Sequence, residues 1–360
     1  MSIVLENISH VTGTQKKVEN INLSLAPGSL NVLLGHKDSF TGKTTLMRIM
    51  AGLEKPTTGR IMMHGVDITA VAVQKRNVSL VHRQFINYPH LTVWENIASP
   101  LRVLGLEKAE IDRKVKEIAT LLHIEDYLER YPLELSGGQQ QRTSMARALV
   151  KDASLILLDE PLVNLDYKLR EELRTELREL LKTRNTIAVY ATSDPHEAMA
   201  LGGNVILMHE GQIIQTGPIA DVYRMPINVE AAKLLSEPQI NFVDGSLSDS
   251  EIVFSGAMHF PLNPNIAKLP PAKYCFGIRP SHIRLVPSND NDLELSMHVV
   301  LAEISGSETF MRVSNKHFSL VMHLAGVHAY RTDSPIKVYL STHRLFVFNE
   351  SGELIQSPLN

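Results

Sequence analysis

Apolar and polar positions alternate at the start of the chain. Ile3, Leu5 and Ile8, then Ile21, Leu23 and Leu25, predict antiparallel strands across residues 2–30 before Pro27-Gly28 turns the chain. A continuous apolar run at 32–34 reads as a buried strand of a parallel sheet. It stops at Gly35 and crosses a polar loop. Leu46, Ile49, Met50 and Leu53 then follow at helical spacing. Strands are predicted at 60–68 and 78–82, and one helix over 100–122 from the recurrence of Ile111, Val115, Ile118 and Leu122. A helix-forming run follows Gln139, a buried strand spans 155–158, a Glu/Arg-laced helix 167–182, and a further strand 187–190. Beyond Ser236-Glu237-Pro238 the pattern changes to short alternating stretches at 251–254, 276–278, 297–300, 310–313 and 337–340, separated by Pro and Gly turns. Strands at that spacing suggest a small β-barrel domain.

Composition narrows the picture. At 360 residues and 44% hydrophobic content the chain can bury a large core and a second, smaller one. A net charge of −3 gives no global electrostatic case for nucleic acid or anionic lipid. The single cysteine, Cys275, rules out an internal disulfide and suits a reducing compartment. No signal pattern opens the chain, and no apolar run approaches the ~18 residues that span a bilayer, so the expectation is a soluble protein whose membrane role comes through a partner. The fifteen histidines are scattered without metal-ligand spacing.

Chemistry concentrates at three places. Strand, Gly-bearing loop, Gly42-Lys43-Thr44-Thr45 and helix is the layout of a phosphate-binding loop. Loop amides and the helix N-terminus converge on one point, Lys43 adds a cation, and Thr44 offers a hydroxyl to Mg²⁺. The plain alternative is a strand-to-helix turn without a ligand. The loop is irregular: six residues separate Gly35 from Gly42, where four are usual, and the first-glycine position falls on Lys37. At Ser136-Gly137-Gly138-Gln139 a second helix start offers free amides, or is a simple cap. Asp159-Glu160 places two carboxylates where a buried strand emerges, the position at which doubly wound sheets bind ligands; otherwise they are solvated acids before Pro161.

The order Gly42-Lys43-Thr44-Thr45, Leu135-Ser136-Gly137-Gly138-Gln139, Asp159-Glu160-Pro161, Asn164-Leu165-Asp166 resembles the motif series of ABC ATPases. The resemblance covers roughly residues 3–235. The remainder resembles the OB-like tail of carbohydrate-importer ATPases through Gly277-Ile278-Arg279-Pro280 and Leu345-Phe346, and short segments around 84–101 and 190–192 look most like bacterial glycerol-importer ATPases. The implied fold is α/β: a P-loop nucleotide-binding domain at 1–235, with a mostly parallel sheet, an antiparallel β subdomain and a helical subdomain, then an OB-like barrel at 236–360. The implied ligands are ATP and Mg²⁺. Gly35, Gly42, Lys43, Thr44 and Thr45 would bind nucleotide, Thr44 and Asp159 the metal, and Glu160 would polarise the attacking water. Ser136, Gly137, Gly138 and Gln139 would close over ATP held by a second subunit, with Asp166 at the dimer seam. The implied partners are transmembrane subunits docked near 83–101, a second ATPase subunit (homo- or heterodimer) and, indirectly, a solute-binding protein, at the inner face of the cell membrane.

Three further positions depart from the family. The adenine-stacking aromatic aligns with Thr12, and losing one such stack costs about 1–3 kcal/mol. The metal- and water-contacting glutamine aligns with Arg83, which offers only donors; Gln84 serves only if the loop slips by one. The switch histidine aligns with Ser193. Two arrangements follow: a slow but working importer ATPase, or a degenerate ATP-binding partner that lends its signature to a competent subunit. A nucleic-acid-processing ATPase lacks the expected basic arms and paired cassettes here, and a regulatory module that senses nucleotide is the remaining alternative.

Overall fold

The computed structural model describes residues 2–36, 41–163, 165–184, 186–248, 251–254, 258–261, 266–289 and 292–358. They divide into two compact units, Met1–Ile219 and Ala220–Asn360.

The first unit opens with β1 (Ile3–Thr12) and β2 (Gln15–Leu25), an antiparallel pair, then β3 (Leu30–Leu34) and helix α1 (Lys43–Ala51). β4 (Thr58–Met63) and β5 (Val66–Asp67) complete a four-stranded antiparallel sheet. The expected strand over 60–68 is therefore a hairpin. His64 and Gly65 both take positive φ, 55° and 79°, the two-residue turn that matches strand twist.

β6 (Val78–Val81) precedes helices α2 (Val93–Val103), α3 (Lys108–Leu121) and α4 (Gly137–Leu149). The single helix expected over 100–122 is two. Gly105 at φ 76° cannot continue α2, and α3 restarts behind Glu107. α2 begins before that span, on a capping box in which Thr92 and Glu95 satisfy each other's amides. Then come β7 (Leu155–Asp159), α5 (Tyr167–Thr183), β8 (Ile187–Thr192), α6 (Pro195–Leu201), β9 (Asn204–His209) and β10 (Gln212–Pro218).

β9, β3, β8, β7 and β6 lie side by side and parallel, with β10 antiparallel at the edge. One core joins both sheets through α1. Leu46, Met47, Ile49 and Met50 pack with Ile3, Leu5 and Ile21 of the antiparallel sheet and with Leu157, Val189 and Ile206 of the parallel one. Each such side chain contributes about 1.5–3 kcal/mol on burial. The helix that follows the phosphate-loop sequence is thus fixed on two sides.

In the second unit two antiparallel sheets share one core. One runs through Asn241–Leu247, Glu251–Phe254 and Lys273–Ile278; the other is five-stranded and includes Leu293–Ser305, Glu308–Ser314 and Pro335–Leu340. The end strands of the five-stranded sheet, Ile283–Arg284 and Ser319–Ala325, come back into contact, so that sheet nearly closes as a barrel.

Candidate nucleotide site

Strands β3, β8, β7 and β6 end along one rim, and their register decides which residues meet there. Leu34 lies beside Thr192, Asp159 beside Ala191, and Leu158 beside Val81. Gly35 therefore leaves β3 next to Ser193, and its N–H donates to Thr192 O at 3.4 Å. Arg83 and Glu160 each lie two residues beyond the Val81–Leu158 pair, just past the ends of their strands.

α1 starts at this rim. Its cap, Gly42, has φ 81°, and a Cβ there would fall 2.6 Å from Lys17 O and 2.8 Å from the Val18 side chain. Only glycine meets both demands. Lys43 is buried and its Nζ donates to Gly35 O. Desolvation pushes the Lys43 pKa down to about 8, against Glu160 and Asp159, which pull it up. Thr44 is exposed and donates from Oγ1 to Asp159 Oδ2 at 3.0 Å, while Thr45 is half-buried. Burial raises the Asp159 pKa against the lowering effect of that hydrogen bond.

Glu160 has φ 46°, a left-handed conformation costing an L-residue about 1–2 kcal/mol. Its N–H donates to Ala191 O at 3.0 Å, which ties the turn to β8. Ser193 Oγ donates to Glu160 Oε1 at 3.1 Å, and Arg83 Nε stands 3.2 Å from Oε2. The second contact is an ion pair without hydrogen-bond alignment, for Oε2 has no hydrogen-bond partner. Gln84 stays at the surface, its N–H donating to His82 Nδ1 at 3.1 Å. Arg83, not Gln84, faces the carboxylate.

Residues 18–163 match the ABC transporter family. The chain is 32% identical over 359 residues to the sn-glycerol-3-phosphate import ATP-binding protein UgpC of Brucella abortus, covering 98% of this chain and 99% of that one. To UgpC of Escherichia coli it is 34% identical over 346 residues, 95% and 96% of the two chains. The chain belongs to the ABC transporter family. This ABC ATPase also resembles a solved cassette, MJ0796, seen as a dimer in a post-hydrolysis state with ADP and phosphate. The TM-score is 0.55 at 26% identity over 60% of this chain and 98% of that one.

Elsewhere in the ABC ATPase the signature residues form their own constellation. Ser136 caps α4 in a capping box with Gln139, whose Oε1 accepts from Ser136 N at 2.8 Å. Gly137 is exposed; a Cβ on Gly138 would fall 3.3 Å from Leu165. Asp166 caps α5, accepting from Leu169 N at 3.0 Å. Among the described residues no hydrogen bond joins this constellation to Lys43, Thr44 or Glu160. Thr12 is exposed at the end of β1, its Oγ1 3.3 Å from His10 Nε2. Lys37 and Asn164 lie outside the described residues.

Sequence reasoning missed Glu197. Buried in α6, it accepts from Tyr190 OH at 2.6 Å and from Thr192 Oγ1, and burial raises its pKa. Thr192 Oγ1 in turn accepts from Asp194 N at 3.0 Å. Both neighbours of Ser193 are thus held. The available signal was a Glu three residues after the cap Asp194, in a short helix whose other residues are apolar apart from His196.

Proposed function

We propose that the chain is the ATP-hydrolysing subunit of an importer for a polyol or carbohydrate, with glycerol, glycerol-3-phosphate or a related small solute as cargo. The named relatives support the cargo class, and their likeness runs through the second unit as well as the first. The observation that carries the catalytic reading is the convergence of Lys43, Thr44, Asp159 and Glu160 on one strand rim.

In this reading residues 1–235 are the nucleotide-binding domain and 236–360 the OB-like domain. Lys43 leaves Gly35 O for the β- and γ-phosphates, which the amides of Gly42 to Thr45 also hold. The donors present suit Mg²⁺: one hydroxyl and one carboxylate, both hard oxygen ligands, are what a magnesium ion bound largely through phosphates asks of a protein. Held by Thr44 and Asp159, it would neutralise charge on the phosphate oxygens. Water attacks the γ-phosphorus, the bond to the ADP oxygen breaks, and Glu160 takes the water's proton while Lys43 and Ser193 hold position. Ser136, Gly137, Gly138 and Gln139 close over the ATP of a second subunit, with Asp166 at the seam. Exposed Ile86 and Tyr88, beside a cleft of about 270 Å³ lined by Tyr88, Pro100, Val103 and Arg147, offer the surface for a transmembrane subunit. No described helix is long and apolar enough to cross a membrane. In this reading the docked transmembrane subunits hold the chain peripherally at the inner face.

The position of Arg83 against Glu160 favours a second reading, in which this chain's own site is degenerate and mainly binds ATP while its signature serves a competent partner. Turnover of the purified chain, alone and mixed with a candidate second subunit, separates the two. Hydrolysis by the lone chain, lost in Glu160→Gln, supports the first; hydrolysis only in the mixture, insensitive to Glu160→Gln, supports the second.

A further inference from the structure

Arg83 stands where two demands on the site conflict. Its Nε lies 3.2 Å from Glu160 Oε2, and Ser193 occupies Oε1, so both oxygens of the carboxylate are engaged. The two partners are unequally seated: the Glu160 side chain is 10% exposed, that of Arg83 57%. An exposed guanidinium without hydrogen-bond alignment is held by charge alone, and a stronger anion can draw it off. Glu160 follows Asp159, which accepts from Thr44, so the guanidinium paired with Glu160 lies on the strand rim where Lys43 and Thr44 also lie. Among the described residues there, Lys43 and Arg83 face Asp159 and Glu160. Adding a triphosphate upsets that arrangement, and Arg83, exposed and held by charge alone, can answer it alongside Lys43, which leaves Gly35 O for the same phosphates.

We propose that Arg83 is the γ-phosphate sensor of this chain: it pairs with Glu160 when the terminal phosphate is absent and transfers to that phosphate when ATP binds, releasing the carboxylate. Arg83 thereby sets the preference for ATP over ADP. The inference rests on the reading of Glu160 as the group that receives the water's proton. Competition runs both ways. A carboxylate that retains Arg83 weakens ATP, and removing its charge frees the arginine for phosphate.

The test is a double-mutant cycle on nucleotide affinity, with wild type, Arg83→Gln, Glu160→Gln and the double variant titrated with ATP and with ADP in magnesium buffer. The expected result is that Glu160→Gln tightens ATP about five- to tenfold when Arg83 is present and less than twofold when Gln replaces it. ADP affinity should stay within twofold across all four. Equal effects of Glu160→Gln in both backgrounds, or equal coupling for ADP, would overturn the sensor. Single-turnover hydrolysis on the same samples separates this from the underlying reading. If Arg83→Gln hydrolyses ATP and the double variant does not, the role of Glu160 stands whatever the cycle shows. Wild-type hydrolysis that survives Glu160→Gln removes the reading and the sensor together.

Discussion

Glu160 combines backbone strain with chemistry. Its left-handed φ persists because β8 holds its amide and because Pro161 O accepts from Gln141 of α4. Lys43, Thr44, Asp159 and Glu160 were legible in the sequence because a loop, a helix start and a strand end fix where those letters fall. Glu197 was not, since its role arises only when α6 folds back over the end of β8. Glu197→Gln keeps the shape but leaves one acceptor where Tyr190 and Thr192 require two. It should cost about 1–3 kcal/mol of stability by urea denaturation. A loss within 0.5 kcal/mol would show that the two hydroxyls find water instead. The contact between Arg83 and Glu160 was not legible: it needs β6 and β7 to be neighbours, which nothing in the chain order says, and a left-handed turn at Glu160 just past the strand end.

At the scale of elements, α1 depends on Arg76. Its guanidinium donates to Ile49 O and Met50 O at the helix end, to Ile68 O and Thr69 O, and to Val71 O, at 2.7 to 3.2 Å. Gly52, at φ 82°, ends the helix beneath it, and a Cβ there would fall 2.6 Å from Arg76 Nε. Arg76→Met should destabilise the fold by about 3 kcal/mol or more, read by denaturation, because it leaves buried carbonyls without that donor. A change below 1 kcal/mol would mean that α1 is held by its apolar faces alone. The buried strands at 32–34, 155–158 and 187–190 and the helix over 167–182 were readable from periodicity, whereas α6, β9 and β10 were not foreseen. The hairpin at His64-Gly65 and the break at Gly105 were not, since each turns on one glycine inside an apolar pattern that reads as continuous.

At the scale of the whole molecule, the two units have separate cores and separate sensitivities. In the second, Arg279 is buried with its guanidinium 3.6 Å from the Tyr223 ring centre and bonded to the carbonyls of Tyr223 and Leu235. That clamp explains why the compact unit begins at Ala220, before the change of composition near Ser236. Nearby His282 is pushed down to about 4 by burial, with Arg344, Arg279 and Arg284 adding to the fall. Its unfolded counterpart titrates near ~6.5, so between those values the unfolded chain binds more protons and stability drops as pH falls. The denaturation midpoint should decline from pH 7 to pH 4.5, and His282→Asn should flatten that decline; an unchanged slope would assign the acid sensitivity to other groups. The account as a whole turns on whether the Lys43 corner grips a triphosphate. The direct measurement is ATP affinity of the purified full chain with and without magnesium, wild type against Lys43→Ala. Magnesium-dependent binding weakened at least tenfold by the substitution is expected; no magnesium-dependent binding, or equal binding by both proteins, would contradict it.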